Sequence, residues 1–448
     1  MAVSTNKGPA FAAVTTLFFA WGFITSMIDP LVASVKGIFT LTDLQSQLAA
    51  FAFFIAYGVV SFPAAVLLSR LKSVPTILVA LAMMIAGCLI MLVAANVAIF
   101  SLVLIGLFVL ASGITILQVA ANPLAAVLGP PEKSHFRLTL SQTFNSVGTF
   151  IGPIIGATLF LKNVEVKEGV VITEAVRAEA LAGIDMAYFW IAGMIAALLI
   201  FFFFSRRVVT EAAPVPSDET ARRGIIATFQ DALSAKWAVL GGLAIFIYVG
   251  AEVAIGSQMA LFLNADNVWG QSDAAYAFPV IGWLFANDGA PGISLQEAGK
   301  MTALYWGGAM IGRAVGSLLL ARFDASKLLA LFAGIAAAMC LYVFAVGGVS
   351  GGFVAVAIGL FNSIMFPVIF TLTLERSTAS EEATSGFLCT AIVGGAFIPL
   401  AVGLVSGATD YATAFIVPAI CYVALSMFAM AAGKVGPRNS VATKSGGH

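Results

Sequence analysis

The sequence predicts an all-α membrane protein, with twelve transmembrane helices arranged as two pseudo-symmetric six-helix bundles. Three observations predict it. The chain is 60% hydrophobic and 10% charged, with mean hydropathy +1.02. Twelve of its stretches are long and apolar enough to cross a bilayer, and the second six echo the first. Soluble domains carry roughly 25% charged residues. A chain this apolar cannot cover itself with a polar surface in water, so lipid must be its main solvent.

A helix crossing the hydrocarbon core needs about 20 mostly apolar residues. The predicted spans are 11–34, 45–68, 74–96, 98–128, 138–161 and 185–205, then 237–264, 298–320, 326–346, 350–374, 384–406 and 410–432. Each must be helical, because backbone groups facing lipid find no water to bond. The connector 206–236 holds Glu211, Pro214, Pro216, Ser217, Asp218, Glu219, Arg222 and Arg223. Its polarity and prolines divide an N-terminal bundle, 1–205, from a C-terminal bundle, 237–448. No small-residue cleavage site follows the first apolar run, so that run reads as a retained helix and not a signal peptide.

Lys and Arg set the expected orientation. With both termini cytoplasmic, sixteen fall on the inner side, among them Lys7, Arg70, Lys133, Arg137, Arg206, Arg322 and Lys444. Five fall outside: Lys36, Lys162, Lys167, Arg177 and Lys300. The bias predicts a multi-pass inner-membrane protein with both ends inside. The halves also repeat in detail. Leu67-Leu68-Ser69-Arg70-Leu71 is echoed by Leu319-Leu320-Ala321-Arg322-Phe323, Pro123 by Pro367 and Pro153 by Pro399, all at nearly one offset. Duplicated halves of this kind are a transporter signature. Arg70 and Arg322 are the matching candidates for structural or gating roles.

Composition excludes much else. Zero net charge implies no nucleic-acid field. Cys88, Cys340, Cys389 and Cys421 lie inside apolar runs and read as buried thiols. Only His135 and His448 occur, so no His/Cys metal centre and no resident cofactor are expected. No phosphate-binding glycine loop or nucleophile motif supports a membrane enzyme. A monomer is expected.

An ionisable residue at membrane depth is costly, and usually faces the bundle interior or a wet cavity. Asp29 shares one helical face with Thr25 and Ser26. It is a candidate to bind a coupling cation, as a proton or as an oxygen ligand to Na⁺. The alternative is a hydrated carboxylate near the outer interface, beside a helix break at Pro30. Glu252, four residues after Tyr248 in span 7, is a second cation-coupling candidate, or else a satisfied hydrogen bond to a neighbouring helix. Arg313, in the inner part of span 8, reads as a structural or gating group, with Glu375 as a partner.

Two uncharged polar stripes stand out. Thr115, Gln118 and Asn122 lie on one face of span 4; Gln142, Asn145, Ser146 and Thr149 recur at helical spacing in span 5. An Asn or Gln side chain donates and accepts at once, so one amide can grip two sugar hydroxyls. Each residue alone could equally bond a neighbouring helix; the two stripes together predict a polar cavity. Candidate substrate-binding residues are thus Gln118, Asn122, Gln142, Asn145, Thr25, Tyr248 and Asn362. Trp21, Tyr57, Tyr248, Tyr305, Trp306 and Phe366 offer rings to stack on a sugar.

The runs Gln118-Val119-Ala120-Ala121-Asn122-Pro123 and Arg137-Leu138-Thr139-Leu140-Ser141-Gln142-Thr143-Phe144-Asn145-Ser146 resemble the fucose–galactose–glucose symporter family of the major facilitators. So do Phe39-Thr40-Leu41-Thr42, Tyr248-Val249-Gly250-Ala251 and Gly312-Arg313. The resemblance covers essentially the whole chain and implies the major facilitator fold. It also implies alternating-access uptake of a hexose-type sugar with co-transported H⁺ or Na⁺. The family's L-fucose:proton symporter uses a helix 1 Asp, which carries over onto Asp29, and a helix 4 Glu, where this chain has Gln118. The Gln form, with Ala251-Glu252 in span 7, is similar to the glucose/galactose branch, which includes sodium-dependent members. A drug or other small-solute/H⁺ antiporter on the same fold is the alternative; it would need a greasier cavity with fewer amides.

Overall fold

The computed structural model describes residues 7–128, 134–162, 164, 173–212, 225–285, 291–320 and 322–435. Lys133, Lys167, Arg222, Arg223 and Lys444, used above for orientation, lie outside the described residues, as do Pro214, Pro216, Ser217, Asp218 and Glu219 of the connector. So do the side chains of Pro123, His135 and Arg137, and His448. Among the described residues, twelve helices are long and apolar enough to span a membrane: span 1 Lys7–Ile38, span 2 Leu48–Leu68, span 3 Ser73–Val97, span 4 Phe100–Asn122, span 5 Leu140–Phe160, span 6 Glu174–Ala212, span 7 Lys236–Asn264, span 8 Leu295–Leu320, span 9 Ala325–Val346, span 10 Gly348–Arg376, span 11 Ala383–Ala408 and span 12 Thr413–Lys434. An even number of crossings puts Lys7 and Lys434 at the same end, which is called inner below.

Spans 1 and 10 each break three or four residues before a proline. Span 1 is helical over Lys7–Ser26, turns at Met27 and resumes over Ile28–Ile38. Pro30 has no N–H, so the Ser26 carbonyl loses its usual partner four residues on. Span 10 breaks between Gly348–Asn362 and Met365–Arg376, and Pro367 frees the Ser363 carbonyl in the same way. Span 6 runs to Ala212, past the predicted end at 205, because the apolar run Phe201–Phe204 is followed by helix-tolerant residues up to the first proline.

Small residues let the spans approach closely. Gly148, Gly152 and Gly156 recur every fourth residue in span 5 and face span 1. A Cβ at Gly152 would collide with the Ser26 hydroxyl and the Phe23 carbonyl. The repeat places Gly394 of span 11 against the Phe246 carbonyl of span 7 in the equivalent contact. Gly152→Val should therefore cost at least about 1–3 kcal/mol through overpacking. The expected readout is a lower melting temperature and membrane level, with Gly193→Ala, which meets nothing within 4 Å, unchanged as control.

The two halves meet through spans 1 and 7, 2 and 11, and 5 and 8. At the outer end the seam is closed. Lys36 pairs with Asp43, and both reach Tyr411 of the 11–12 connection, whose hydroxyl lies 2.5 Å from Lys36 Nζ and 3.0 Å from Asp43 Oδ1. A capping box, Thr42 with Gln45, fixes the short helix that presents Asp43. Below it, Ser257 donates to Gln47 Oε1 at 2.9 Å. At the inner end the connector helix Ile225–Ser234 sets Phe229 between Phe62 of span 2 and Phe387 of span 11, with ring centroids 5.0 and 5.6 Å away.

Candidate functional site

Between the halves lies a cavity of about 170 Å³. The N-terminal half lines it with Trp21, Gly22 and Thr25 of span 1, Phe54 and Tyr57 of span 2, Gln118 of span 4, and Asn145, Ser146 and Thr149 of span 5. The C-terminal half supplies Val249, Glu252 and Val253 of span 7, and Trp306, Ala309, Met310 and Arg313 of span 8. Aromatic rings, aliphatic side chains, hydroxyls and the amides of Gln118 and Asn145 share one space, with one acid and one base on the C-terminal wall.

The amides are held in place with capacity to spare. Gln118 Nε2 donates to the Tyr57 hydroxyl at 2.7 Å, and Asn145 Nδ2 donates to the Phe18 carbonyl at 3.1 Å. Gly22 lets the Asn145 side chain sit directly on span 1. Thr25 Oγ1 is buried on this wall with no hydrogen-bond partner. An orphaned hydroxyl costs about 1–3 kcal/mol, which a polar ligand would relieve.

Glu252 is braced from behind by tyrosines. The Tyr248 hydroxyl lies 2.8 Å from Glu252 Oε1 and 3.1 Å from the Asn362 carbonyl, and its one proton serves one acceptor at a time. Tyr305 donates to the Glu252 carbonyl at 3.1 Å and accepts from Asn362 Nδ2 at 2.5 Å. Tyr248 and Asn362 therefore stand behind the cavity wall and do not line it.

Arg313 bridges the halves. Its Nε donates at 3.3 Å to the Ser363 carbonyl freed by Pro367, and its Nη1 reaches Ser146 Oγ at 2.5 Å. Ser146 in turn donates to the Gln142 carbonyl at 3.0 Å. The expected partner Glu375 is corrected: it pairs with its neighbour Arg376 at 2.9 Å, because Arg313 turns into the cavity instead of toward the inner surface. Arg70 and Arg322 are exposed at the inner end, away from the cavity.

Asp29 is 4% exposed. It lies beyond the cavity wall, at the seam, where Trp306 Nε1 donates to its Oδ2 at 2.6 Å. The reading of Asp29 as a carboxylate hydrated at the outer interface is thereby overturned: the kink before Pro30 turns it into the bundle. Of the remaining candidates, Asn122 and Gln142 do not line the cavity in this state, and Thr115 bonds the Ala111 carbonyl within its own helix. Phe54, Val249 and Met310 line it without having been singled out; an apolar wall residue looks like any other core residue in a membrane sequence. Cys88, Cys340 and Cys421 are buried and Cys389 half-buried, all as free thiols.

Twelve spans in two halves, packed around a central cavity of mixed polar and apolar lining, define a membrane transporter. The major facilitator superfamily profile matches residues 11–291. A glucose/galactose transporter of Brucella abortus is 39% identical over 96% of this chain and 95% of its own length. An L-fucose-proton symporter of Escherichia coli is 31% identical, over 94% and 92%. The crystal structure of the E. coli fucose:proton symporter superposes with a TM-score of 0.68 at 26% identity, covering 96% of this chain and 99% of that one. The chain belongs to the major facilitator superfamily, in its fucose–galactose–glucose:cation symporter family. It is a transporter and not an enzyme.

Proposed function

We propose that this protein takes up a hexose-type sugar (glucose-, galactose- or mannose-like) together with a proton or a sodium ion. The observation that carries the reading is the placement of Asp29. It is a carboxylate buried at the seam of two halves, beside an amide- and indole-lined cavity, and its donor is a neutral indole. Such a group gains much from a cation that cancels its charge. The E. coli relative's description as a proton symporter supports H⁺ as that cation.

Transport proceeds by alternating access, with bundles 1–205 and 237–448 rocking about the cavity while 206–236 tethers them. The termini face the cytoplasm across a bacterial inner membrane, in line with the Lys/Arg bias. Each chain holds its own cavity, so a monomer suffices. Gln118, Asn145 and Thr25 hold sugar hydroxyls, and Trp21 and Trp306 offer ring faces. Asp29, with Glu252 nearby, carries the cation. Arg313 acts in gating, since it ties span 8 to span 5.

Gln118→Ala should raise the half-saturating sugar concentration by about three- to tenfold, the worth of one neutral hydrogen bond. Its membrane level should stay normal. Unchanged uptake kinetics would remove Gln118 from the sugar site. A panel of hexoses against lipophilic cations separates this reading from a drug/H⁺ antiporter: competition by hexoses alone is expected.

A further inference from the structure

Asp29 does not line the cavity, yet one side chain touches both. Trp306, on span 8 of the C-terminal half, forms part of the cavity wall, and its Nε1–H donates across the seam to Asp29 Oδ2 at 2.6 Å. An indole N–H can only donate. Its bond is strongest to the bare carboxylate, where charge assists it, and weaker once a cation has cancelled that charge. Tyr305 packs edge-on against the indole, with centroids 5.1 Å apart at 73°, and is itself held by Asn362. Gly256 of span 7 completes the seat: a Cβ there would lie 3.2 Å from both Asp29 oxygens and from Trp306 Cζ2. Among the described residues, the ionisable groups near enough to act electrostatically on Asp29 are Glu252 on span 7 and Tyr305 on span 8.

We propose that Trp306 is the positioning residue through which sugar occupancy and the charge on Asp29 are coupled. The proposal rests on the reading of Asp29 as the coupling carboxylate. With the outer end closed and the carboxylate bare, the indole bond ties span 1 to span 8 and favours a released cation. When a cation binds, the bond weakens, the halves are free to part at the outer end, and the indole is free to lie against an entering sugar. One side chain thus links the ion, the sugar and the seam.

Trp306→Phe keeps a ring in the wall and deletes the donor. The bare carboxylate then loses a hydrogen bond to a charged group, so the half-saturating cation concentration for uptake should fall by about tenfold. The half-saturating sugar concentration at saturating cation should move by less than about threefold. The measurement is uptake of radiolabelled D-glucose or D-galactose, whichever the wild type accumulates, into proteoliposomes of the full chain. External pH is varied at fixed Na⁺, then Na⁺ at fixed pH. Gly256→Ala crowds the same bond without altering either group. It should shift the cation dependence in the same direction, and it serves as the test if Trp306→Phe does not reach the membrane. A merely structural role would lower the maximal rate and leave the cation dependence alone; that result in both variants overturns the proposal. Asp29→Asn separates the two claims. If it still accumulates sugar, the coupling-carboxylate reading has failed. If it does not, while Trp306→Phe and Gly256→Ala keep wild-type cation dependence, only the role of Trp306 has failed.

Discussion

In proteoliposomes carrying Asp29→Asn, labelled hexose should equilibrate across the membrane without accumulating. Asparagine fills the same volume and can still accept the Trp306 N–H through its amide oxygen, so the seam keeps its shape. It carries no charge for a proton or sodium ion to cancel. One elementary charge moving through 100 mV is worth about 2.3 kcal/mol, or roughly fiftyfold accumulation at one-to-one coupling. The variant should lose that whole factor. Exchange of labelled for unlabelled sugar should persist, because Gln118, Asn145 and Thr25 remain in the cavity wall. Loss of exchange as well as accumulation would mean that Asp29 holds the sugar or the fold, and not the coupling ion.

The second large effect concerns the outer latch. The Lys36 and Asp43 side chains are 15% and 9% exposed, and Tyr411 of the other half covers the pair. Asp43→Asn leaves a nearly buried ammonium unpaired while the outer end is closed. Removing one partner of a buried pair costs about 3–5 kcal/mol. Opening the outer end hydrates the ammonium, so the penalty falls on the closed state. The closed-to-open ratio should fall on the order of a hundredfold. A cysteine placed at the cavity-lining Val253 reports this. Its labelling by a membrane-impermeant thiol reagent from outside should accelerate by at least about tenfold. The double variant Lys36→Met/Asp43→Asn carries no orphaned charge and should return close to the wild-type rate. An unchanged rate in Asp43→Asn would show that closing the outer end does not bury the Lys36 ammonium away from water.

Local features of the fold were legible because lipid leaves the chain few choices. Helical state and the break before Pro30 follow from backbone hydrogen bonding, whereas Pro367 sits at a break and Pro63, Pro153 and Pro399 do not, a difference only packing decides. The stripes of spans 4 and 5 point inward in part: Gln118 and Asn145 line the cavity, whose remaining wall is largely apolar. Periodicity names a face, however, and not the helix that will cover it. Asn122 shares a face with Gln118, but one turn further along the helix it leaves the cavity wall. Pairings between the halves were beyond reach for the same reason: Trp306 meets Asp29 across 277 residues, and Tyr411 meets Lys36 across 375. No local pattern encodes those distances. Arg313 shows the intermediate case. A proline in span 10 signals a free carbonyl, but only the packing of span 8 on span 10 shows which donor fills it.

Hexose uptake into proteoliposomes of the wild-type protein, with proton and sodium gradients imposed one at a time, bears most directly on ion-driven sugar entry. Accumulation well above the external concentration under one of the two gradients, collapsing when that gradient is dissipated, is the result predicted. Sugar that only equilibrates, at the same rate with either gradient or none, would contradict it.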